Sequence, residues 1–486
     1  TARAVSATVL GRARASAGAV PAGAWLLAAL VASFIGLLLL WPIATVLHTA
    51  FVDGEGRLTP AHFSAFFSMS LMRESFVNSV VVALASVVLA TLFAVPLAYL
   101  TVRFRFRGSA LVQTLGVLPL IMPPFVGAVA MQLIFGRNGS VNLILNDAFG
   151  FRIPFMDGLN GVVFVEGLHY FPFILLNLIA AMRNIDGAME EAAQNLGAHG
   201  FGLFRRVVFP LALPGYVAGA SLVFVKVFDD LGTPLVLNVT NMLAPQAYLR
   251  ITSVGLEDPV GYVIAVIMIA FSIAALALAA RVTRGRDYAT LTRGGAATTR
   301  RPLDGWRAVA AYGFVLLVLA LVLSPHVGIL LMSLSRVWSF SVLPESFTLS
   351  HYATVLSDSS RMIGNTLLYS GLAAAIDVVI GVAIAWLVLR TKLPGRRWLD
   401  WGASAALAIP GLVLAIGYLR AFRGLELPFG MGAFTASWIA IMLAYSVRRL
   451  PYAVRSCVAA LEQVHHSLEE AAQALGADRW RTVRRI

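Results

Sequence analysis

Few side chains in this sequence could do chemistry, and most of those sit in apolar surroundings. Asp377 lies in the run Thr366–Leu389, about twelve residues in, or about 18 Å along a helix rising 1.5 Å per residue. A carboxylate at that depth is costly in lipid, so it must face water, a solute or another helix. Both lining of a route and a contact between helices are open for it. Lys226 and Asp230 are four apart with Asp229 adjacent, a spacing that suits an ion pair on one helical face or contact with something arriving from outside. Glu166 and His169 are three apart on one face, two ligands that could suit a metal cation but are weak evidence for one. There is no His-Glu-x-x-His, no Gly-x-Ser-x-Gly and no full set of bundle carboxylates and histidines. Lys226 and Lys392 are the only lysines, and neither follows the glycine-rich loop that cradles nucleotide phosphates. These absences leave no catalytic residue, no metal site and no cofactor to assign to this chain.

One string recurs. Glu-Glu-Ala-Ala-Gln-x-Leu-Gly-Ala occurs at Glu190–Ala198 and again at Glu469–Ala477, each time in a short polar segment after an apolar run. Around the first copy, Ile185, Ala188, Ala192 and Leu196 recur at helical spacing while Glu190, Glu191, Gln194 and Asn195 stay polar. That pattern predicts a short amphipathic helix over Asn184–Leu196, starting just after Gly187 and broken by Gly197. A second, basic-aromatic helix is expected from Phe201–Val208, ahead of Pro210 and Pro214. One Ala-rich string is an unremarkable connector; two at equivalent positions imply a surface made to meet a partner.

The elements that must carry these segments are membrane spans. The chain is 59% hydrophobic and 13% charged, with a mean hydropathy of +0.82, whereas a soluble chain carries about 25% charge. Runs long enough to cross a bilayer are read at Ala24–Leu47, Phe76–Val102, Leu111–Phe135, Gly161–Met182, Leu211–Val236, Tyr262–Ala280, Ala308–Leu334, Thr366–Leu389, Trp398–Phe422 and Ala433–Val447. The first is too long for a signal-peptide core and has no Ala-x-Ala-like site after it. The lone Cys457 excludes an intrachain disulfide. A net charge of +13 is distributed as topology requires, not as a nucleic-acid patch. Arg3, Arg12 and Arg14, then Arg103, Arg105 and Arg107, then the stretch Arg281–Arg307, then Arg390, Lys392, Arg396 and Arg397 all fall on one side of the bilayer. The positive-inside rule makes that side cytoplasmic, with the N-terminus and both repeated strings on it.

The repeat extends beyond the string. Asn78-Ser79 opens one span as Asn365-Thr366 opens another, Pro124 answers Pro410, and Pro172 answers Pro451. The interval from Pro172 to Pro451 equals that from Glu190 to Glu469. Six spans separate equivalent helices, so the repeats run parallel, about an axis along the membrane normal. The expected architecture is an all-α integral membrane protein of two parallel six-helix modules. Residues 1–281 form the first module, 282–306 a linker and 307–486 the second. The last copy stops at Ile486, so the second module is expected to lack its final spans, and a complete chain to have about twelve.

Glu191-Ala192-Ala193, Gly197, Val207, Phe209 and Pro210 together resemble the Glu-Ala-Ala/Gly/Ile-x-Leu-Pro loop of binding-protein-dependent ABC importer permeases. Glu470-Ala471-Ala472, Gly476 and Ile486 repeat it, and Val207 and Phe209 depart from the consensus conservatively. The chain is similar in particular to fused, double-length permeases of ferric-iron and 2-aminoethylphosphonate importers. Similarity around Arg183–Leu237 leans toward the phosphonate type. The resemblance implies that Glu190, Glu191, Ala192, Ala193 and Gly197, with Glu469, Glu470, Ala471, Ala472 and Gly476, form coupling helices that dock on two cytoplasmic ATPase subunits. ATP and Mg would be used there, so this chain would not itself be an enzyme. It further implies a periplasmic substrate-binding protein, a bacterial inner-membrane location and no nucleic-acid partner. Asp377, Lys226, Asp229, Asp230 and Glu166 become candidates for the pathway or its external gate. Two other accounts compete: a membrane scaffold that docks an ATPase without transporting, and an ion-coupled secondary carrier. The carrier gives no reason for paired coupling helices.

Overall fold

A computed structural model describes residues 21–284 and 301–476. Arg3, Arg12 and Arg14, the linker residues Arg286, Arg293 and Arg300, and Ile486 lie outside the described residues. In chain order the helices begin with α1 (Ala22–Phe51), α2 (Ala61–Ser68) and α3 (Ser70–Arg103). A two-residue strand β1 (Phe104–Arg105) precedes α4 (Ser109–Val117), α5 (Pro124–Phe135) and α6 (Ser140–Phe149). Then follow α7 (Gly158–Arg183), α8 (Gly187–Asn195), α9 (Gly200–Asp229), α10 (Gly232–Val236), α11 (Leu243–Leu249) and α12 (Pro259–Thr283). Strand β2 (Arg301–Pro302) pairs in parallel with β1 and leads to α13 (Gly305–Leu334), α14 (Ser350–Asp358) and α15 (Ser360–Arg390). The last are α16 (Arg396–Ala405), α17 (Gly411–Ala421), α18 (Trp438–Gln463) and α19 (His466–Ala474).

Among the described residues seven helices are long and apolar enough to cross a membrane, or eight if a bent pair counts as one span. The sequence pattern had suggested ten, and the differences have local causes. The run Leu111–Phe135 is not one helix: Ser109–Ile121 and Pro124–Phe149 meet at 105°. Pro123 and Pro124 supply no N–H, and Met122, held ahead of a proline, is extended at φ −92°, ψ 139°. Trp398–Phe422 is likewise split into α16 and α17 ahead of Pro410. The run Leu211–Val236 ends as a helix at Asp229, because Asp230 is extended and α10 starts anew. In place of Ala433–Val447, α18 starts at Trp438 and continues past Arg448 and Arg449 to Gln463.

The chain groups into two compact units, Leu47–Ser360 and the described parts of Thr1–Val46 with Arg361–Ile486. In the first, α7 lies against both α3 and α9. Of the most apolar window of α7, 72% is buried, against 22–39% in the other six spans. It is therefore the most enclosed of the seven, while the others leave more of their surface exposed. Gly215 and Gly219 let α9 approach it: a Cβ on Gly219 would stand 2.7 Å from the Phe173 carbonyl oxygen. In the second unit α1 fills the core. Val31, Ile35, Leu38 and Leu39 pack with Ile384, Leu414, Tyr418 and Leu450, and Gly417 sits against the Pro42 backbone.

Candidate functional site

The first repeated string forms α8 as a capped, isolated short helix. Asp186 is the N-cap and accepts the Ala188 N–H at 3.0 Å. Gly197 ends the helix at φ +86°, the left-handed region where a side chain is disfavoured. The Ala198 and Gly197 N–H groups donate to the Ala193 and Gln194 carbonyls, both at 2.9 Å, which closes the free end. The described helix, Gly187–Asn195, starts at the glycine where the sequence pattern puts its beginning and ends one residue before Leu196. In the second copy, Gly476 likewise has φ +87° and the Leu475 N–H donates to Ala471 O at 3.0 Å.

The two faces of α8 differ. Glu190 is buried and forms an ion pair with Arg103, the last residue of α3. Burial pushes the Glu190 carboxyl above the ordinary carboxylate range, while Arg103 and Arg301 pull it back. Glu191 and Ala192 are exposed, Ala193 is half-buried, and Met189 and Leu196 are exposed large apolar side chains, Leu196 at 90%. In α19, Glu469 is paired with Arg390, the last residue of α15, whose Nε donates to Oε1 at 2.6 Å. Ala471 is exposed, Ala472 half-buried, and Leu468 and Leu475 are exposed, Leu475 at 90%. Glu470 is a residue of α19. Met189, Ala192 and Leu196 therefore make an outward apolar ridge on α8, and Leu468, Ala471 and Leu475 repeat it on α19.

The acidic residues inside the spans divide into two groups. Asp377 is buried and accepts a hydrogen bond from Ser446 Oγ at 2.6 Å, tying α15 to α18. Glu166 and His169 are buried on α7, in the neighbourhood of Asp230. Thr233 also lies beside Glu166, and His326 of α13 beside His169. Asp230 is not on the helical face that its spacing from Lys226 suggested. It has left the helix, and its Oδ2 accepts the Thr233 N–H at 2.8 Å, capping α10. Lys226 and Asp229 are half-buried in the last turns of α9. Among the described residues no three of His, Cys, Asp and Glu are grouped so as to hold a metal ion.

Sequence reasoning passed over Arg103 and Arg390, which it used only as markers of topology. Their signal was their position: each is the last residue of a long apolar run, and each is repeated at the equivalent place in its half. Arg301 was missed as well; its Nη2 donates to Gln194 Oε1 at 2.8 Å, so β2 holds the other end of α8.

Duplicated spanning helices, each set carrying one short amphipathic helix with an outward apolar ridge, define a multi-span membrane component built from a repeat. Residues 86–288 and 377–486 both match the family described as binding-protein-dependent transport system inner membrane component. The chain belongs to that family, carries it twice, and is a non-catalytic transmembrane component. A putative ferric transport system permease protein of Haemophilus influenzae is 26% identical over 93% of this chain and 72% of its own length. A probable molybdenum ABC transporter permease protein of Haloferax volcanii is 30% identical over 45% of this chain and 79% of its own. A putative 2-aminoethylphosphonate transport system permease protein of Salmonella typhimurium is 28% identical over 43% of this chain and 74% of its own.

Proposed function

We propose that this chain is the permease of an ATP-driven solute importer of the bacterial inner membrane, with α8 and α19 as its coupling helices. Two cytoplasmic ATPase subunits dock on them, a periplasmic binding protein delivers the solute, and the two halves alternate between inward- and outward-facing states. The N-terminus and both coupling helices lie in the cytoplasm, as the arginine-rich connections require. Residues 1–281 and 307–486 are the parallel repeats of one module, joined by the linker 282–306.

The observation that carries this reading is the duplicated apolar ridge, Met189, Ala192 and Leu196 with Leu468, Ala471 and Leu475. Exposed leucines of that kind, at one place in each repeat and rimmed by carboxylates such as Glu191, mark a protein-binding surface. A scaffold would use the same ridge, but a scaffold has no need of family membership with transport components. Ferric iron is the proposed cargo, with 2-aminoethylphosphonate the alternative, because a ferric relative is matched along both repeats, over 93% of the chain. Glu166 and Asp230, with Lys226 and Asp229 nearby, are offered as the external gate. The bond from Ser446 supports a tie between helices for Asp377, in preference to a pathway role.

Leu196→Glu combined with Leu475→Glu should abolish co-purification with the cognate ATPase, since burying two unpaired carboxylates in an apolar contact is prohibitive. In proteoliposomes the wild-type complex should take up ferric iron delivered by its binding protein only when ATP is present on the ATPase side. Uptake without nucleotide, or an ATPase that binds the double variant normally, would remove the coupling assignment.

A further inference from the structure

Each coupling helix is fastened back to the spans by one arginine, and the fastening recurs in both halves. Arg103 and Arg390 are the last residues of α3 and α15, and their partners Glu190 and Glu469 are the first carboxylates of the two repeated strings. All four side chains are at least four-fifths buried. Arg390 goes further: its Nη2 donates to the carbonyls of Leu461 at 3.1 Å and Val464 at 2.9 Å, at the end of α18. It thus joins the ends of two long helices to α19. The adjacent Glu191 is exposed on α8, so the two carboxylates of the Glu-Glu pair face different ways. A buried pair of this kind strongly resists separation, because either partner left alone is an uncompensated buried charge.

The covalent route from α8 into α9 turns on two glycines. It passes through Gly197 and Gly200, with φ of +86° and +54°, and a Cβ at either would meet nothing within 4 Å. We infer that Arg103 with Glu190, and Arg390 with Glu469, are positioning pairs that transmit displacement of the coupling helices to the ends of α3 and α15. This rests on the coupling role proposed above, since the pairs have motion to transmit only if a partner moves these helices.

The test uses the full permease with its ATPase and binding protein in proteoliposomes. Arg103→Met combined with Arg390→Met should keep the ATPase bound through the intact leucine ridge. Uptake should fall at least tenfold, and the binding protein should no longer stimulate ATP hydrolysis. Exchanging the partners, Arg103→Glu with Glu190→Arg and likewise Arg390→Glu with Glu469→Arg, should restore at least a third of both. Unchanged uptake in the Met variant overturns the inference. An exchanged variant that assembles with the ATPase yet is no better than the Met variant also overturns it. If every variant fails to assemble, the pairs belong to the fold and not to transmission, which equally counts against it. Failure of the coupling role itself would show separately, as an ATPase that binds regardless of Leu196 and Leu475.

Discussion

The two members of the first pair are not equally replaceable. Arginine keeps its charge at any physiological pH, whereas burial pushes the Glu190 carboxyl above the ordinary carboxylate range, so acid relieves an unpaired Glu190 and does not relieve an unpaired Arg103. Glu190→Gln should therefore destabilise the chain by about 3 kcal/mol, near the cost of leaving one buried charge unpaired. Arg103→Met should cost a similar amount at neutral pH, since it leaves the Glu190 carboxylate buried and unpaired, but less in acid. A carboxyl whose folded value lies above its unfolded one binds protons preferentially in the folded state, so its stability contribution is present at low pH and lost as pH rises. Arg103→Met should thus recover thermal stability on acidification, and Glu190→Gln should not. Melting curves of the detergent-solubilised variants across pH check this, and the opposite order of midpoints would contradict it. Little of this was legible in the sequence. The Glu-Glu-Ala-Ala repeat identified the helix, but which carboxylate turns inward depends on where α3 ends in space. Arg103 looked like any arginine at a membrane edge.

At the scale of elements, the long apolar runs were readable because lipid requires them, and the repeated string gave the short helices nearly at their true bounds. Continuity was not readable. Hydropathy scores the side chains, while the breaks at Pro123-Pro124 and before Pro410 arise from missing backbone donors, and membrane proteins tolerate such breaks when neighbours re-satisfy the chain. Helix pairing was equally hidden, although Gly215 and Gly219, four apart on α9, carried the signal of a close contact. Their partner is α7: a Cβ on Gly215 would lie 2.6 Å from the Asn177 carbonyl oxygen, and one on Gly219 would lie 2.7 Å from Ile174 Cα. These obstacles are backbone, which cannot rotate aside. Gly219→Val should consequently separate α9 from α7 and cost more than 2 kcal/mol, seen as a lower yield of folded protein in detergent. Gly313→Val, on α13 with nothing within 4 Å of its Cβ, is the control. Equal yields from the two would mean that the approach of α9 to α7 is not needed.

For the whole molecule, order along the chain and grouping in space diverge at the first helix. The repeat in the sequence puts Ala24–Leu47 at the head of the first half, and nothing in its composition says otherwise, since an apolar helix carries no address. In the structure its residues up to Val46 group with the described residues of Arg361–Ile486, while Gly305–Leu334, the head of the second half, groups with the described residues of Leu47–Ser360. The reason lies in particular contacts: Ile35 and Leu38 belong to the core that holds Leu414 and Leu450, and Ile35 reaches Gly402 of α16. Removing that surface uncovers a core formed largely by α16, α17 and α18, so damage to α1 should be felt there. Leu38→Ala with Leu39→Ala creates cavities worth about 2–5 kcal/mol each. Hydrogen exchange should then show lost protection in α17 and α18, with α7 and α9 unchanged, because those two helices are packed by α3 and by each other. Protection lost first in α7 would mean that the opening helix supports the half it precedes in the sequence.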